Sequence, residues 1–438
     1  MLKNIKIFFE RASQKNKDFF LSSVYNFLFI GVKLILNLKL FSLLLEYMGE
    51  ERFGVWQTIF SIGTFITVLN FGYANSLRNL ITKNSLNHSN KIGELIGVIT
   101  KKVFFIALTL SVVFIPIIYI FLKPDLLFFK ISLPYKEIKI STLILISFFL
   151  LNLILGLSDS VAYGLQKSHL TSFFQTLYVL GSYLLVYFLG QYYTLNLIDI
   201  AIIFGLAQTI SYLLFIIYQK NKFKIRLDFS KKIALGDTNK LSFHFFLAHL
   251  LSIVFLLIDN FIISSTLGAK ETASYSVINK IYFTLIMLFS ILLIHFWNSV
   301  TEAFEKKEFI WIKKTIKTLI VISFFVFFIG LIIAFFQETI INLWIKNNTP
   351  ILQRNSFYIF SFYVLFHCIN AVFVNLQNGL GQLKIQIYVT FFLLLVYLLG
   401  CYLLDIKKYG YNSIIILKTV LMFFSLIFNS LILRKLKK

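Results

Sequence analysis

Asn26, Lys33 and Asn37 stand seven and four residues apart in an otherwise apolar stretch. At about 100° per residue they fall within roughly 40° of one another, so on a helix they form one polar stripe. The chemistry open to such a stripe is to hold an anionic headgroup, whose desolvation in a low-dielectric cavity requires cations. The alternative is a structural cluster with helix carbonyls. Lys33 lies about 21 Å along its helix from residue 19, too deep for its ammonium to reach the interface easily.

A second set carries Ser276, Lys280, Thr284 and Asn298, with Lys280 and Asn298 eighteen residues apart and nearly eclipsed. Lys280 is about 10 Å from the end of its helix, so extension to the interface is an open alternative to a site role. Asp259 reads as the only carboxylate well inside an apolar stretch, on a face shared loosely with His244 and Ser252. Two roles are open to it: an ion pair with Lys280 across the turn at 266–272, or a proton or sodium site coupled to opening of a cavity. Arg78 could steer a diphosphate at the mouth of a cavity, or serve only orientation in the membrane. Asn370 with His367 forms a further polar pair, in which His367 reads as an interior histidine. Lys39 and Lys418 are expected to reach the outer interface. No nucleophile elbow, phosphate-binding glycine loop or metal-ligand spacing is present, so neither covalent catalysis nor a metal or other cofactor is expected.

The elements that must position these residues follow from composition. The 438 residues are 58 % apolar and only 14 % charged, with 52 Phe, 19 Gly and 4 Pro, and the mean hydropathy is +0.82. A soluble surface cannot be built from so few charges, and disorder, collagen and disulfide scaffolds are excluded. Long helices in lipid remain, because in hydrocarbon each backbone group must bond within its own segment. Cys368 and Cys401 both fall inside apolar stretches and offer no redox motif.

Twelve spans of about 20 residues are predicted, with cores at 19–45, 53–76, 103–121, 141–157, 170–189, 197–218, 241–265, 273–299, 318–336, 356–377, 385–403 and 412–433. With the first 18 residues polar and basic and the first span longer than a signal's apolar core, no secretory signal is expected. The chain carries 42 Lys and Arg against 19 Asp and Glu, a net charge of +23. With an even number of spans, 28 basic residues fall on the side of the termini and 10 on the other, leaving Lys33, Lys39, Lys280 and Lys418 within spans. That asymmetry places both termini in the cytoplasm. The loop 122–140, with Lys123, Lys130, Lys136 and Lys139, is discordant. The basic excess is thereby a membrane address, and nucleic acid is not an expected partner.

The halves also resemble each other. Gly49-Glu50-Glu51-Arg52-Phe53-Gly54-Val55-Trp56 after the first span has a counterpart in Gly268-Ala269-Lys270-Glu271-Thr272-Ala273-Ser274-Tyr275 after the seventh, 219 residues on. Gly164-Leu165-Gln166 and Asn375-Leu376-Gln377 pair at an offset of 211. The expected fold is all-α: a six-helix bundle over 1–218, a basic cytoplasmic linker over 219–240 and a second bundle over 241–438. The repeats are parallel, since each half begins from the cytoplasm, and a substrate site is expected between them.

The Gly49–Trp56 stretch, Asn70-Phe71-Gly72-Tyr73-Ala74-Asn75-Ser76-Leu77-Arg78-Asn79, and Gln377-Asn378-Gly379-Leu380-Gly381-Gln382-Leu383-Lys384 resemble the lipid-linked oligosaccharide flippases. These include O-antigen flippases and related polysaccharide exporters, within the multidrug/oligosaccharidyl-lipid/polysaccharide exporter superfamily. Many relatives look like Asp-Phe-Gly where this chain has Asn70-Phe71-Gly72, so a titrating carboxylate is absent at 70. The resemblance implies a V-shaped pair of bundles in the bacterial cytoplasmic (inner) membrane. It also implies alternating access and transfer of an undecaprenyl-diphosphate-linked oligosaccharide, with Lys33, Lys280 and Arg78 as candidate headgroup ligands. Membrane lipid and glycan polymerase machinery are the expected partners. The competing readings are a drug or cation antiporter on the same architecture, expected to show an acidic bias within its spans, and an oligosaccharide polymerase, expected to carry a large outer loop with Arg or His.

Overall fold

Apolar stretches of this length can satisfy their backbone in hydrocarbon as helices, and the computed structural model is built from them. It describes the chain except residues 1–13, 85–88, 122, 166, 224–227, 229–235, 306, 346–349, 381 and 438. Gln166, and the side chains of Asn298 and His244, therefore lie outside the described residues. Among the described residues there is no strand. The helices are α1 Gln14–Ile66, α2 Tyr73–Asn84, α3 Ser89–Phe121, α4 Pro124–Leu127, α5 Tyr135–Leu155, α6 Leu157–Gly164, α7 Ser168–Gly190 and α8 Leu197–Phe223 in the first half. The second half has α9 Gly236–Thr266, α10 Ala269–Glu305, α11 Phe309–Phe335, α12 Gln337–Trp344, α13 Arg354–Gly379, α14 Leu383–Leu403, α15 Ile406–Tyr409 and α16 Tyr411–Ser430.

Eleven stretches are long and apolar enough to cross a membrane, and the first, Tyr25–Ile66, is 42 residues long. It is interrupted at Gly49, whose φ of 74° and ψ of 168° leave the helical region. The rings of Phe41 and Phe53 are 4.7 Å apart across this break, whereas twelve residues of unbroken helix would separate them by about 18 Å. The chain therefore turns back at Gly49, and α1 supplies two of the twelve expected spans. Gly268 makes the matching turn between α9 and α10 with φ 99°, and both turns use a backbone conformation that glycine adopts without a Cβ clash. Trp56 and Tyr275, at the same offset of 219, are both fully buried.

Two spans differ from expectation. The second ends at Ile66, before a turn in which Phe71 and Gly72 have φ of 51° and 75°. Asn70 Oδ1 accepts the Gly72 N–H at 2.9 Å there, so the Asn-Phe-Gly motif closes a turn. The fourth runs on through Gly156, which stays near helical geometry (φ −66°, ψ −10°), so α5 and α6 form one span from Tyr135 to Gly164. Asp159 is thereby carried inside a span. Asp259 is not the only intramembrane carboxylate, because helix geometry at Gly156 continues where the apolar count predicted an end.

In the first half α1 packs on α7, α5 on α8 and α7 on α8; in the second, α13 packs on α10, α11 and α16, and α14 on α9 and α16. The ends of the expected linker are helical, through Phe223 and from Gly236, and most of its middle lies outside the described residues. The bundles meet where α1 and α9–α10 turn. A Cβ built on Gly54 would stand 1.8 Å from the Ala269 carbonyl oxygen, so the two backbones touch. Asn260 Nδ2 donates to Ser61 Oγ at 2.9 Å, Ser264 Oγ to the Leu127 carbonyl at 2.9 Å, and Trp344 Nε1 to the Leu38 carbonyl at 2.8 Å. At the opposite end the bundles touch through the Phe71 and Phe246 rings, 4.9 Å apart.

Candidate functional site

The polar stripe on α1 faces α7. Asn26 Oδ1 accepts from Ser172 Oγ at 2.5 Å, the Phe29 carbonyl accepts from Thr176 Oγ1 at 3.0 Å, and the Lys33 ammonium donates to Gln175 Oε1 at 2.9 Å. Asn37 turns its amide back onto the Lys33 carbonyl at 2.9 Å, bonding within its own helix. Gln175 passes the chain onward, donating from Nε2 to Asp159 Oδ2 at 3.3 Å. Tyr212 on α8 donates to the same oxygen at 3.3 Å. Lys33, Gln175 and Asp159 thus form an acid–amide–base relay inside the first bundle, while Asp159 Oδ1 is buried without a hydrogen-bond partner among the described residues.

In the second bundle Asp259 is 1 % exposed. Its ion-pair partner is Lys418, whose ammonium lies 2.5 Å from Oδ2. Tyr275 donates to Oδ2 and Tyr397 to Oδ1 at 2.6 Å. The expected pair with Lys280 does not form, and Lys418 does not reach the interface: at 5 % exposure it is buried. The reason is packing: α16 presents Lys418 to α9, where its ammonium meets the Asp259 carboxylate.

Lys280 is left at the seam between the bundles. Its ammonium lies 5.5 Å from the centre of the Phe41 ring on α1, and it has no carboxylate partner within ion-pair distance among the described residues. Phe41 in turn stacks on Trp344, with ring centres 5.4 Å apart. A half-buried cation facing aromatic surfaces between two bundles is equipped to take an anion.

The remaining candidates are dispersed. Arg78 is exposed on α2, with its guanidinium 5.1 Å from the Tyr163 ring on α6. Asn370 on α13 accepts from Asn429 Nδ2 at 2.9 Å and from Ser425 Oγ at 3.3 Å, both on α16. His367 lies beside Tyr363, 3.5 Å from its hydroxyl. Lys39 is exposed on α1. Sequence reasoning missed Asp159, Gln175, Tyr275 and Tyr397. Gln175 had a signal: Gln386 follows it by 211 residues, the offset already seen between Gln166 and Gln377.

A family model described as polysaccharide biosynthesis protein matches residues 19–296. The chain belongs to the polysaccharide biosynthesis protein family. The chain is 22 % identical over 368 residues to a putative O-antigen export protein of Yersinia pseudotuberculosis, covering 81 % of each chain. Its fold is that of transporters of the MOP superfamily. An inward-facing multidrug resistance MATE family transporter of that superfamily gives a TM-score of 0.75 at 13 % identity, over 92 % of this chain and 95 % of that one. An outward-facing MATE family transporter gives 0.66 at 13 % identity, over 95 % of each. A MOP superfamily transporter from Pyrococcus furiosus, described as having a binding pocket of reverse polarity, gives 0.65 at 14 % identity, again over 95 % of each. The family and fold make this a multi-pass membrane protein.

Proposed function

We propose that this protein is a flippase that moves an undecaprenyl-diphosphate-linked oligosaccharide, an O-antigen or other surface-glycan repeat unit, across the bacterial cytoplasmic membrane by alternating access. The family match, the export role in the name of its Yersinia relative and the two-bundle fold support the class. Lys280 carries the reading of the substrate. The two aspartates carried inside spans are already matched to a lysine within their own bundle, Asp159 to Lys33 through Gln175 and Asp259 to Lys418 directly. Lys280 is left for an anion, and a diphosphate meets that need. A cation antiporter would require the opposite surplus.

With both termini cytoplasmic, as the basic residues favour, the Gly49 and Gly268 turns face outward. The bundles are then joined by hydrogen bonds outside and by the Phe71–Phe246 ring contact inside, and the headgroup enters from the cytoplasmic leaflet once that ring contact parts. It reaches Lys280 past Arg78 and Lys33, and leaves outward toward glycan polymerase machinery as the bundles, divided at 219–240, rock apart. The lipid tail stays in the bilayer throughout. Asp259, read from sequence as an ion-coupling group, has three donors on its two oxygens, an arrangement that supports a structural role. Asp159, with one oxygen unpartnered among the described residues, supports proton coupling better.

Export of lipid-linked glycan by proteoliposomes tests the reading. Losing a charge-assisted contact weighs about 1.5–3 kcal/mol, so Lys280→Gln should lower the rate roughly 10- to 100-fold, with Lys280→Arg retaining most of it. Wild-type export by Lys280→Gln would overturn the diphosphate role.

A further inference from the structure

The offsets that align the halves also align their polar interiors. Ser252 follows Lys33 by 219 residues, while Asn370 and Gln386 follow Asp159 and Gln175 by 211. At corresponding places in the two bundles the first half therefore has lysine, aspartate and glutamine, and the second has serine, asparagine and glutamine. In the first bundle these three groups bond to one another in the Lys33–Gln175–Asp159 relay. In the second they stand around a cavity of 170 Å³ between α9, α13, α14 and α16.

None of the residues lining that cavity is Asp, Glu, Lys or Arg. Its wall is largely apolar, with Phe255, Leu256 and Leu393 among its side chains, but Ser252, His367, Asn370, Asn375, Gln386 and Thr390 interrupt it, and their hydrogen-bonding capacity is incompletely used. Asn370 accepts two bonds on its oxygen, but among the described residues its amide donor has only the Met422 sulfur, at 3.5 Å. Gln386 gives its amide to Asn378 at 3.0 Å, and Asn375 gives its own to the Ala371 carbonyl at 2.8 Å. Both retain side-chain oxygens to accept with. Ser252 donates to the Ala248 carbonyl at 2.7 Å and keeps its lone pairs. A neutral wall with donors and acceptors intermixed offers no charge to balance a phosphate. It matches a ligand that carries both functions on each polar atom, and hydroxyl and acetamido groups on a sugar ring do so. The volume would hold about five or six waters at their liquid share, room for one pyranose ring in their place.

We infer that the second-bundle cavity around Asn370, Gln386 and Ser252 is a saccharide subsite, which takes one neutral sugar unit of the glycan while the diphosphate is held at the seam by Lys280. The inference rests on the flippase reading. It divides recognition between the halves: in the bundle with the charged relay the corresponding groups are spent on one another, and in the other bundle they line a cavity.

Binding to the full-length protein in nanodiscs tests this, with undecaprenyl diphosphate alone compared with the same lipid bearing one N-acetylhexosamine or one hexose. The wild type should bind at least one glycosylated lipid about tenfold more tightly than the bare lipid. Asn370→Leu and Gln386→Leu should erase that increment and leave bare-lipid affinity within twofold, which also reports that the variants are folded. Should the leucine variants lose bare-lipid binding as well, Thr390→Val, which removes a lining hydroxyl at constant shape, reads the same increment at smaller size. Bare-lipid binding with no increment for either sugar overturns the subsite and leaves the flippase reading standing. No binding of any of the lipids defeats the flippase reading itself. Sodium-dependent binding that is equal for bare and glycosylated lipids would make the cavity an ion site and would overturn the inference.

Discussion

Lys418 on α16 and Asp259 on α9 meet 2.5 Å apart within the second bundle, and two tyrosine hydroxyls complete the carboxylate's shell. The four groups tie together α9, α10, α14 and α16. Removing either charged member leaves the other's charge buried and uncompensated. Lys418→Ala should lower stability by about 3–5 kcal/mol, read as a large fall in melting temperature in detergent. The double change Asp259→Asn with Lys418→Met should recover most of that loss. A Lys418→Ala protein that melts like the wild type would remove this pair from the structural account.

The relay in the first bundle makes a different prediction, because Gln175 is the link. Lys33→Met should impair export, and adding Asp159→Asn to it should restore more stability than it costs, since the uncompensated carboxylate is then gone. Gln175→Leu should behave like the loss of both contacts at once. Double-mutant cycles on melting temperature give the coupling, expected at about 0.5–3 kcal/mol for groups in one network.

Proton coupling through Asp159 separates from a structural role for Asp259 in proteoliposomes. Asp159→Asn should make the export rate insensitive to an imposed proton gradient. Asp259→Asn should lower the amount of folded protein while the molecules that remain still respond to the gradient. The reverse pattern would return coupling to Asp259.

Closure at the Gly49 and Gly268 end is testable by cross-linking. Ser61→Cys with Asn260→Cys, whose native side chains are 2.9 Å apart, should be joined by a short bifunctional reagent, and joining should stop export. Ser61 and Asn260 are buried as Cys368 and Cys401 are, so the reagent is membrane-permeant and added during turnover, and the wild type treated in parallel is the blank. Efficient export after complete cross-linking would show that this end does not need to part.

Asn70→Asp should leave export within about twofold and stability within about 0.5 kcal/mol, as for a surface change that keeps its interactions. The Asn70 oxygen that accepts the Gly72 N–H has a direct equivalent in a carboxylate. Melting temperature and export rate check it together.

Much of the fold was legible because apolar run length and glycine punctuation are local signals. Twelve spans, the turns at Gly49 and Gly268 and the repeat could be read from neighbours in sequence. The continuation through Gly156 is not legible in this way, since only its backbone angles, near helical geometry, carry the span on to Asp159. Pairing partners were less accessible still. Which of Lys280 and Lys418 meets Asp259 depends on the rotation of α10 and α16 about their axes, and all-round apolar helices carry little periodic signal to fix it. The stripe Asn26, Lys33 and Asn37 was correctly placed on one helix, but its neighbour α7 was invisible in spacing alone.

The way charge is distributed also sets how the protein should feel the membrane potential. Lys33 with Asp159, and Lys418 with Asp259, each ride within a single bundle as an acid–base set whose formal charges cancel. Rocking of the bundles then shifts little net charge through the field from either set, and the displacement of Lys280 contributes what remains at that depth. A unit charge crossing the whole field is worth about 2.3 kcal/mol per 100 mV, and Lys280 would move through only a fraction of it. The empty transporter should therefore be weakly voltage-sensitive. A bound diphosphate, by adding negative charge beside that ammonium, should reverse the sign of the dependence, so that voltage favours opposite orientations before and after loading.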